Sequence, residues 1–333
     1  MQPKALVIVA ATVLAAALSA GCGTDKPADD KAKPKAGPTV TATIDIKDSV
    51  YAVAVDPDTH IAYATGVLGD LIYVIDPESH KVTDTISVGQ TPVEIAIDPE
   101  RHTLYTANQG GSTVSVVDIA SKKVTATIPV DGYPVDVAVD AATHTVYVVS
   151  GGSIIVIDPE TAKVTDTIAL GDKTQFQHLT VDADTHTIYL ANGGDNAVVA
   201  VDVAARTATA TVVLGSNEQP QSITIDSHNH AVYAATFQGA VAVIDTKTRT
   251  LTGLIRVGNE PKSTALDAKS NTLLVANDED KTVMIIDLEK REITQTIAIG
   301  KGILDLAIDP GTQVAYATNG GDGAVTVIDL ANR

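Results

Sequence analysis

Residues 81–118 read KVTDTISVGQTPVEIAIDPERHTLYTANQGGSTVSVVD, and this stretch decides the fold. Four short runs alternate apolar with polar residues, and clusters of Gly, Asn, Asp and Pro separate them. Alternation at a period of two, carried by β-branched Val, Ile and Thr, is the signature of strands. The same order of runs returns at once in residues 123–158, KVTATIPVDGYPVDVAVDAATHTVYVVSGGSIIVID. Working outward, the aspartate that ends the second run, Asp98, has counterparts at Asp56, Asp140, Asp182, Asp226, Asp267 and Asp309. The steps between them are 42, 42, 42, 44, 41 and 42 residues. The aspartate that closes the unit keeps phase as Asp76, Asp118, Asp158, Asp202, Asp245, Asp287 and Asp329. Residues 40–333 number 294, seven times 42, which leaves no remainder for a second domain.

Four strands per unit of about 42 residues predict the blade of a β-propeller. The expected fold is all-β: seven four-stranded antiparallel blades over residues 40–333. The phase also predicts how the ring closes. The repeat region opens on a lone fourth-strand sequence, Val40-Thr41-Ala42-Thr43-Ile44, and ends just after a third strand, Val325 to Asp329. Pairing the two completes the seventh blade and removes an exposed edge.

The stretch Tyr105-Thr106-Ala107-Asn108 returns as Tyr189-Leu190-Ala191-Asn192 and Tyr316-Ala317-Thr318-Asn319. With these residues the region from Val40 onward resembles the YVTN-repeat family of seven-bladed propellers. The pattern drifts where Val148-Val149-Ser150 follow Tyr147, and where Leu274 replaces the tyrosine. The resemblance implies a binding or scaffold role rather than a defined activity.

The N-terminus reads as an address. Lys4 precedes an uncharged run from Ala5 to Ala20, shorter than the roughly 20 residues a spanning helix needs. The run closes with Leu18-Ser19-Ala20-Gly21-Cys22, which resembles a bacterial lipoprotein signal, although Leu18 lies four places before the cysteine and the usual pattern has three. Residues 1–21 are expected to be the signal peptide and Cys22 the lipidated residue. Residues 22–39, rich in Lys, Asp, Ala and Pro, are expected to be a flexible tether. The expected location is the bacterial cell envelope, outside the cytoplasm and held to the membrane by the Cys22 lipid.

Composition narrows the chemistry. Cys22 is the single cysteine, so an intramolecular disulfide and every cysteine-cluster metal site are excluded. The chain has no Trp and two Phe, so the core must be built from Val, Ile, Ala and Leu. The formal charge is −18, with about −20 on residues 40–333, which argues against nucleic acid as a partner. His60, His102, His144, His186 and His230 each lie four residues after a repeat aspartate. Equivalent positions on different blades are too far apart to share an ion, and Asn271 and Gln313 take the same place, so a turn role is expected. The aspartates themselves are expected to hold turns by accepting from nearby amides.

Function is sought where the repeat departs from itself. The residue four before each repeat aspartate is Ala52, Glu94, Asp136, His178, Ser222, Ser263 or Asp305. In a propeller these positions fall near the mouth of the central channel. Glu94, Asp136, His178 and Asp305 are therefore candidate ligands for a divalent cation, with Ca²⁺, Mg²⁺ or Mn²⁺ expected from their oxygen-rich character. Tyr133, Phe176, His178 and Phe237 are candidates for one apolar ligand or partner face. The leading reading is a monomeric binding or scaffold ring for an unidentified protein or small molecule. The alternative is a metal-dependent enzyme of lactonase or lyase type, with His178 transferring protons. No nucleophile–base motif points to catalysis.

Overall fold

The computed structural model describes residues 37–171 and 175–331. The expected signal peptide and the expected lipidation at Cys22 lie outside the described residues, as does most of the expected tether. Within them the chain forms seven four-stranded antiparallel sheets. The blade read first consists of β6 (Pro92–Asp98), β7 (Thr103–Asn108), β8 (Thr113–Asp118) and β9 (Lys123–Pro129), in that spatial order. Five more sheets repeat it. The seventh is composite, with order β1-β28-β27-β26, where β1 is Thr39–Asp45, β26 Ile303–Asp309, β27 Val314–Asn319 and β28 Ala324–Asp329. Thr39 faces Asp329 and Asp45 faces Ala324, so the first strand closes the ring as expected, starting one residue earlier than the repeat count gives.

Side-chain alternation explains the core. Seven apolar clusters are shared between neighbouring sheets. One joins Tyr105 and Val114 to Val137 and Val148, the next joins Tyr147 and Ile154 to Phe176 and Leu179, and another joins Tyr316 and Val325 to Val50 and Ala62. The repeat tyrosine therefore fills the seam to an adjacent blade, with Leu274 doing so in the sixth unit.

The consensus threonine of the outermost strand has a defined task. Where that strand pairs with its neighbour the register slips by one residue, as at Val74/Ile75, leaving Thr83 as the extra residue. A bulge disrupts the ladder locally, and the hydroxyl of Thr83 donates to the Val74 carbonyl. Thr125, Thr165, Thr209, Thr252, Thr294 and Thr41 donate in the same way.

A second bulge opens each innermost strand. In the sheet of β6 the register jumps between Pro92 and Glu94. The same jump occurs in β10 (Pro134–Val139), β14 (Phe176–Asp182), β18 (Pro220–Asp226) and β22 (Pro261–Asp267), and it is longer in β2 (Val50–Val55) and β26.

The far ends of the innermost strands are latched. His60, His102, His144, His186, His230, Asn271 and Gln313 all adopt left-handed backbone, with φ from 48° to 62°. His and Asn are among the residues enriched in that region. His144 Nδ1 lies 2.9 Å from Asp98 Oδ2, and His186 Nδ1 2.8 Å from Asp140 Oδ2. His60 Nδ1 lies 2.8 Å from Asp309 Oδ2 across the closure, and Gln313 Nε2 donates to Asp267 Oδ2 at 3.0 Å. For His60, His144, His186 and Gln313 the expected turn role is thus joined to a second one, a contact with the repeat aspartate of the preceding blade.

Candidate functional site

The bulge at the start of each innermost strand shapes the channel mouth. Consecutive side chains on a regular strand point to opposite faces, and a bulge re-aims one of them. Two adjacent residues are thereby brought to the mouth in five blades, and one in the blades of Ala52 and Asp136. A cavity of about 260 Å³ is lined by Glu94, His178, Ser222, Ser263 and Asp305. Tyr51, Val93, Val135, Gln177, Gln221, Lys262 and Leu304 line it as well, the residues one place earlier in all seven blades. The sequence reading found the first set and missed the second. The signal was present, since this position also departs freely from consensus, but only the bulge turns it toward the channel.

Four of the seven inner positions do structural work. Each side chain accepts a hydrogen bond from the amide just past the equivalent position in the next blade. Asp305 Oδ2 accepts from Val53 N–H at 2.9 Å, and Ser263 Oγ accepts from Leu306 N–H at 3.3 Å. Ser222 Oγ accepts from Thr264 N–H at 3.3 Å, and Asp136 Oδ2 from Leu179 N–H. These clamps satisfy an amide of the innermost strand, which has a ladder partner on one side only. Ala52 has no side-chain acceptor to offer. Glu94 turns back to accept from its own neighbour, Ile95 N–H, at 3.1 Å. His178 Nδ1 is shielded from solvent and makes no hydrogen bond, at 3.5 Å from Asp136 Oδ2.

Of the four predicted cation ligands, three converge. Glu94, Asp136 and His178 each offer one ligand atom within 4.8 Å of the other two. Asp305 stands outside this group, with its other oxygen accepting from Ser263 Oγ at 2.8 Å. Burial raises the Glu94 carboxyl well above its ordinary range, and the charges of Asp305 and Asp136 add to the effect. Burial also raises Asp136 to about 6, against the opposing pull of His178 and two backbone amides. Burial raises Asp305 too, partly offset by the Val53 amide and the Ser263 hydroxyl. The Tyr51 phenol is pushed up by burial and then by Glu94 and Asp305. The inner mouth thus disfavours negative charge that no cation balances.

The four residues expected to form an apolar face are dispersed. Phe176 is not a loop residue but the first of β14, 6% exposed in the seam between the third and fourth blades. Its bulk matches the apolar space there, where most other blades place proline. Tyr133 is 70% exposed in the loop before β10. Phe237 is half-buried beyond β19 (Ala231–Thr236), with Lys262 Nζ 5.8 Å from its ring centre. His178 alone of the four lines the cavity.

No family model and no curated protein matches this chain. Among solved structures it is similar to Kuenenia stuttgartiensis hydrazine synthase, with a TM-score of 0.76 and 20% identity, over 86% of this chain and 96% of that one. At that identity the likeness is one of fold. It agrees with the seven-bladed ring and carries no activity across.

Proposed function

We propose that this chain is a YVTN-type propeller that binds a partner protein or small molecule through its channel-mouth face, held to the cell envelope by a lipid on Cys22. One observation carries the binding reading. The two adjacent positions that line the mouth differ from blade to blade, within repeats whose seams, bulges and latches recur with little change. Structural duty explains the clamping residues, but it does not explain Tyr51, Gln177, Gln221 or Lys262. Those side chains offer a phenol, two amides and an ammonium to a ligand of modest size. The anchor rests on Leu18-Ser19-Ala20-Gly21-Cys22.

The test compares two faces of one ring. A partner retained by the wild-type chain from an envelope extract should be lost by Tyr51→Ala/Lys262→Ala and kept by Lys290→Ala, which changes an exposed turn elsewhere. Equal retention by both variants would refute the mouth as the docking face. Cys22→Ser should move the chain from the membrane to the soluble fraction, and unchanged fractionation would refute the anchor. The second reading, a metal-dependent enzyme of lactonase or lyase type, is favoured by one observation, the convergence of Glu94, Asp136 and His178.

A further inference from the structure

We propose that Glu94, Asp136 and His178 bind one divalent transition-metal ion, of the zinc or manganese kind, at the inner end of the mouth cavity. The inference rests on the mouth being the working face and names what its inner wall holds.

The interblade clamp accounts for Asp136, Ser222, Ser263 and Asp305, yet leaves Glu94 and His178 without a structural reason. Those two stand on either side of Asp136, at the same repeat position of three consecutive blades. An extra methylene carries the Glu94 carboxylate past the clamp geometry. Its bond to the adjacent Ile95 amide occupies one lone pair only.

The spacing fits an ion. Three ligand atoms lie within 4.8 Å of one another, and Asp136 Oδ2 is 3.5 Å from His178 Nδ1. The edge of a tetrahedron is about 1.6 times the centre-to-vertex distance, so 3.5 Å corresponds to metal–ligand bonds of about 2.1 Å, within the range for zinc with nitrogen and carboxylate oxygen.

The imidazole supplies an observation independent of the acids. His178 Nδ1 is out of contact with solvent and has no hydrogen-bond partner among the described residues. A solvent-shielded ring nitrogen that faces a carboxylate at 3.5 Å without a hydrogen bond calls for an explanation, and a metal ion held between the two gives one. Supporting bonds are already in place. Asp136 accepts from the Val137 amide at 2.7 Å through one oxygen and from the Leu179 amide through the other. Such contacts orient ligands toward a metal.

The donor set selects among ions. Ca²⁺ takes six to eight oxygen ligands, and Mg²⁺ demands a near-ideal octahedron rich in water. One imidazole with two carboxylates suits Zn²⁺ or Mn²⁺ better. The Ca²⁺ and Mg²⁺ expected from the sequence depended on Asp305 as a fourth ligand, and the structure places Asp305 outside the group. Protein ligands fill three positions and leave the remainder open to the cavity, where Lys262 is a further lining residue. That arrangement would take a ligand with an anionic oxygen, such as a carboxylate.

The experiment is calorimetric titration of the untagged full-length chain, cleared of metal with chelator, using ZnCl₂ and MnCl₂ separately. One ion per chain is expected. His178→Ala and Glu94→Gln should each weaken binding at least tenfold, while Lys290→Ala, in an exposed turn outside the cavity lining, leaves it unchanged. Substitution with Co²⁺ should give a visible absorption band that His178→Ala abolishes, and circular dichroism verifies that the variants are folded. Absence of binding in the folded wild-type chain, or binding that His178→Ala leaves intact, overturns the site. Either result would leave the docking reading standing if Tyr51→Ala/Lys262→Ala still loses its partner, so the two inferences fail separately.

Discussion

The two ends of the innermost strands obey opposite rules. At the far end, seven consecutive blades keep an aspartate followed four residues later by His, Asn or Gln in left-handed backbone. At the mouth, about 13 Å away along the same strands, the equivalent position holds Ala, Glu, Asp, His, Ser, Ser and Asp. The difference lies in what each side chain must satisfy. A repeat aspartate accepts from its own turn, as Asp56 does from Thr59 Oγ1 at 2.6 Å, and several of them also receive a contact from the next blade. Few residues meet both demands in a buried position. At the mouth one acceptor suffices for the clamp, and a serine serves as well as an aspartate. The sites that the clamp does not need are then free to change.

Removing β1 should have the largest effect on this contrast, because it opens the ring and loses both ends together. A chain lacking residues 37–46 is expected to show no cooperative thermal transition by circular dichroism. A sharp wild-type-like melt would refute closure by that strand.

Next in size, a substitution at the latch should cost far more than one at the mouth of the same strand. Asp98→Ala strands the Arg101 amide and the partner His144, and should destabilise by about 2–3 kcal/mol in urea titration. Glu94→Gln, four residues earlier, should be neutral or stabilising. Equal losses at the two positions would erase the distinction drawn here.

The third prediction concerns pH. Asp136 titrates in the folded state near 6, above its ordinary 3.8. The folded protein therefore holds that proton more tightly than the unfolded chain does. Its contribution to stability is fully present below about pH 4 and is lost as pH rises through 6, on the order of 2 kcal/mol. Comparing urea midpoints of wild type and Asp136→Asn at pH 4 and pH 7 isolates this contribution from the histidines. The wild type should lose more stability across the interval, and parallel curves would contradict the burial of a charged carboxylate at the mouth.

Smallest of all, Glu94→Gln should raise the Tm of the metal-free chain at pH 7 by about 1–3 °C, since it removes a carboxyl whose ionised form is disfavoured by burial and by Asp305 and Asp136. A lower Tm would mean that the bond from the Ile95 amide to Glu94 outweighs the cost of burying the carboxyl.

Much of the architecture was legible because it is periodic. Strand number, blade count and the return of Val40–Ile44 to the last blade all follow from phase. The site was legible only in part. Glu94, Asp136 and His178 were found as breaks in the repeat, yet nothing in the sequence separates Asp305 from them, because its partners Ser263 and Val53 lie 42 and 252 residues away. The bulge that brings Tyr51, Gln177 and Lys262 to the cavity leaves no residue signature of its own. Phe176 was read as part of a ligand face because it breaks the repeat, whereas it fills a seam where most other blades place proline. The latches were legible as turns but not as contacts between blades, since periodicity gives which positions are equivalent and not which of them touch.

The composite seventh sheet has a consequence for the order of assembly. The strand made first, Thr39–Asp45, finds its neighbour only when Ala324–Asp329 has been synthesised. Six sheets are built from contiguous chain and can form as they emerge from the ribosome, yet the earliest strand waits beside them with its ladder groups unpaired. Closure of the ring therefore waits until the strands of the other six sheets have been made. A chain stopped a few residues short would be an open arc with a sticky edge at each end, a natural substrate for chaperones.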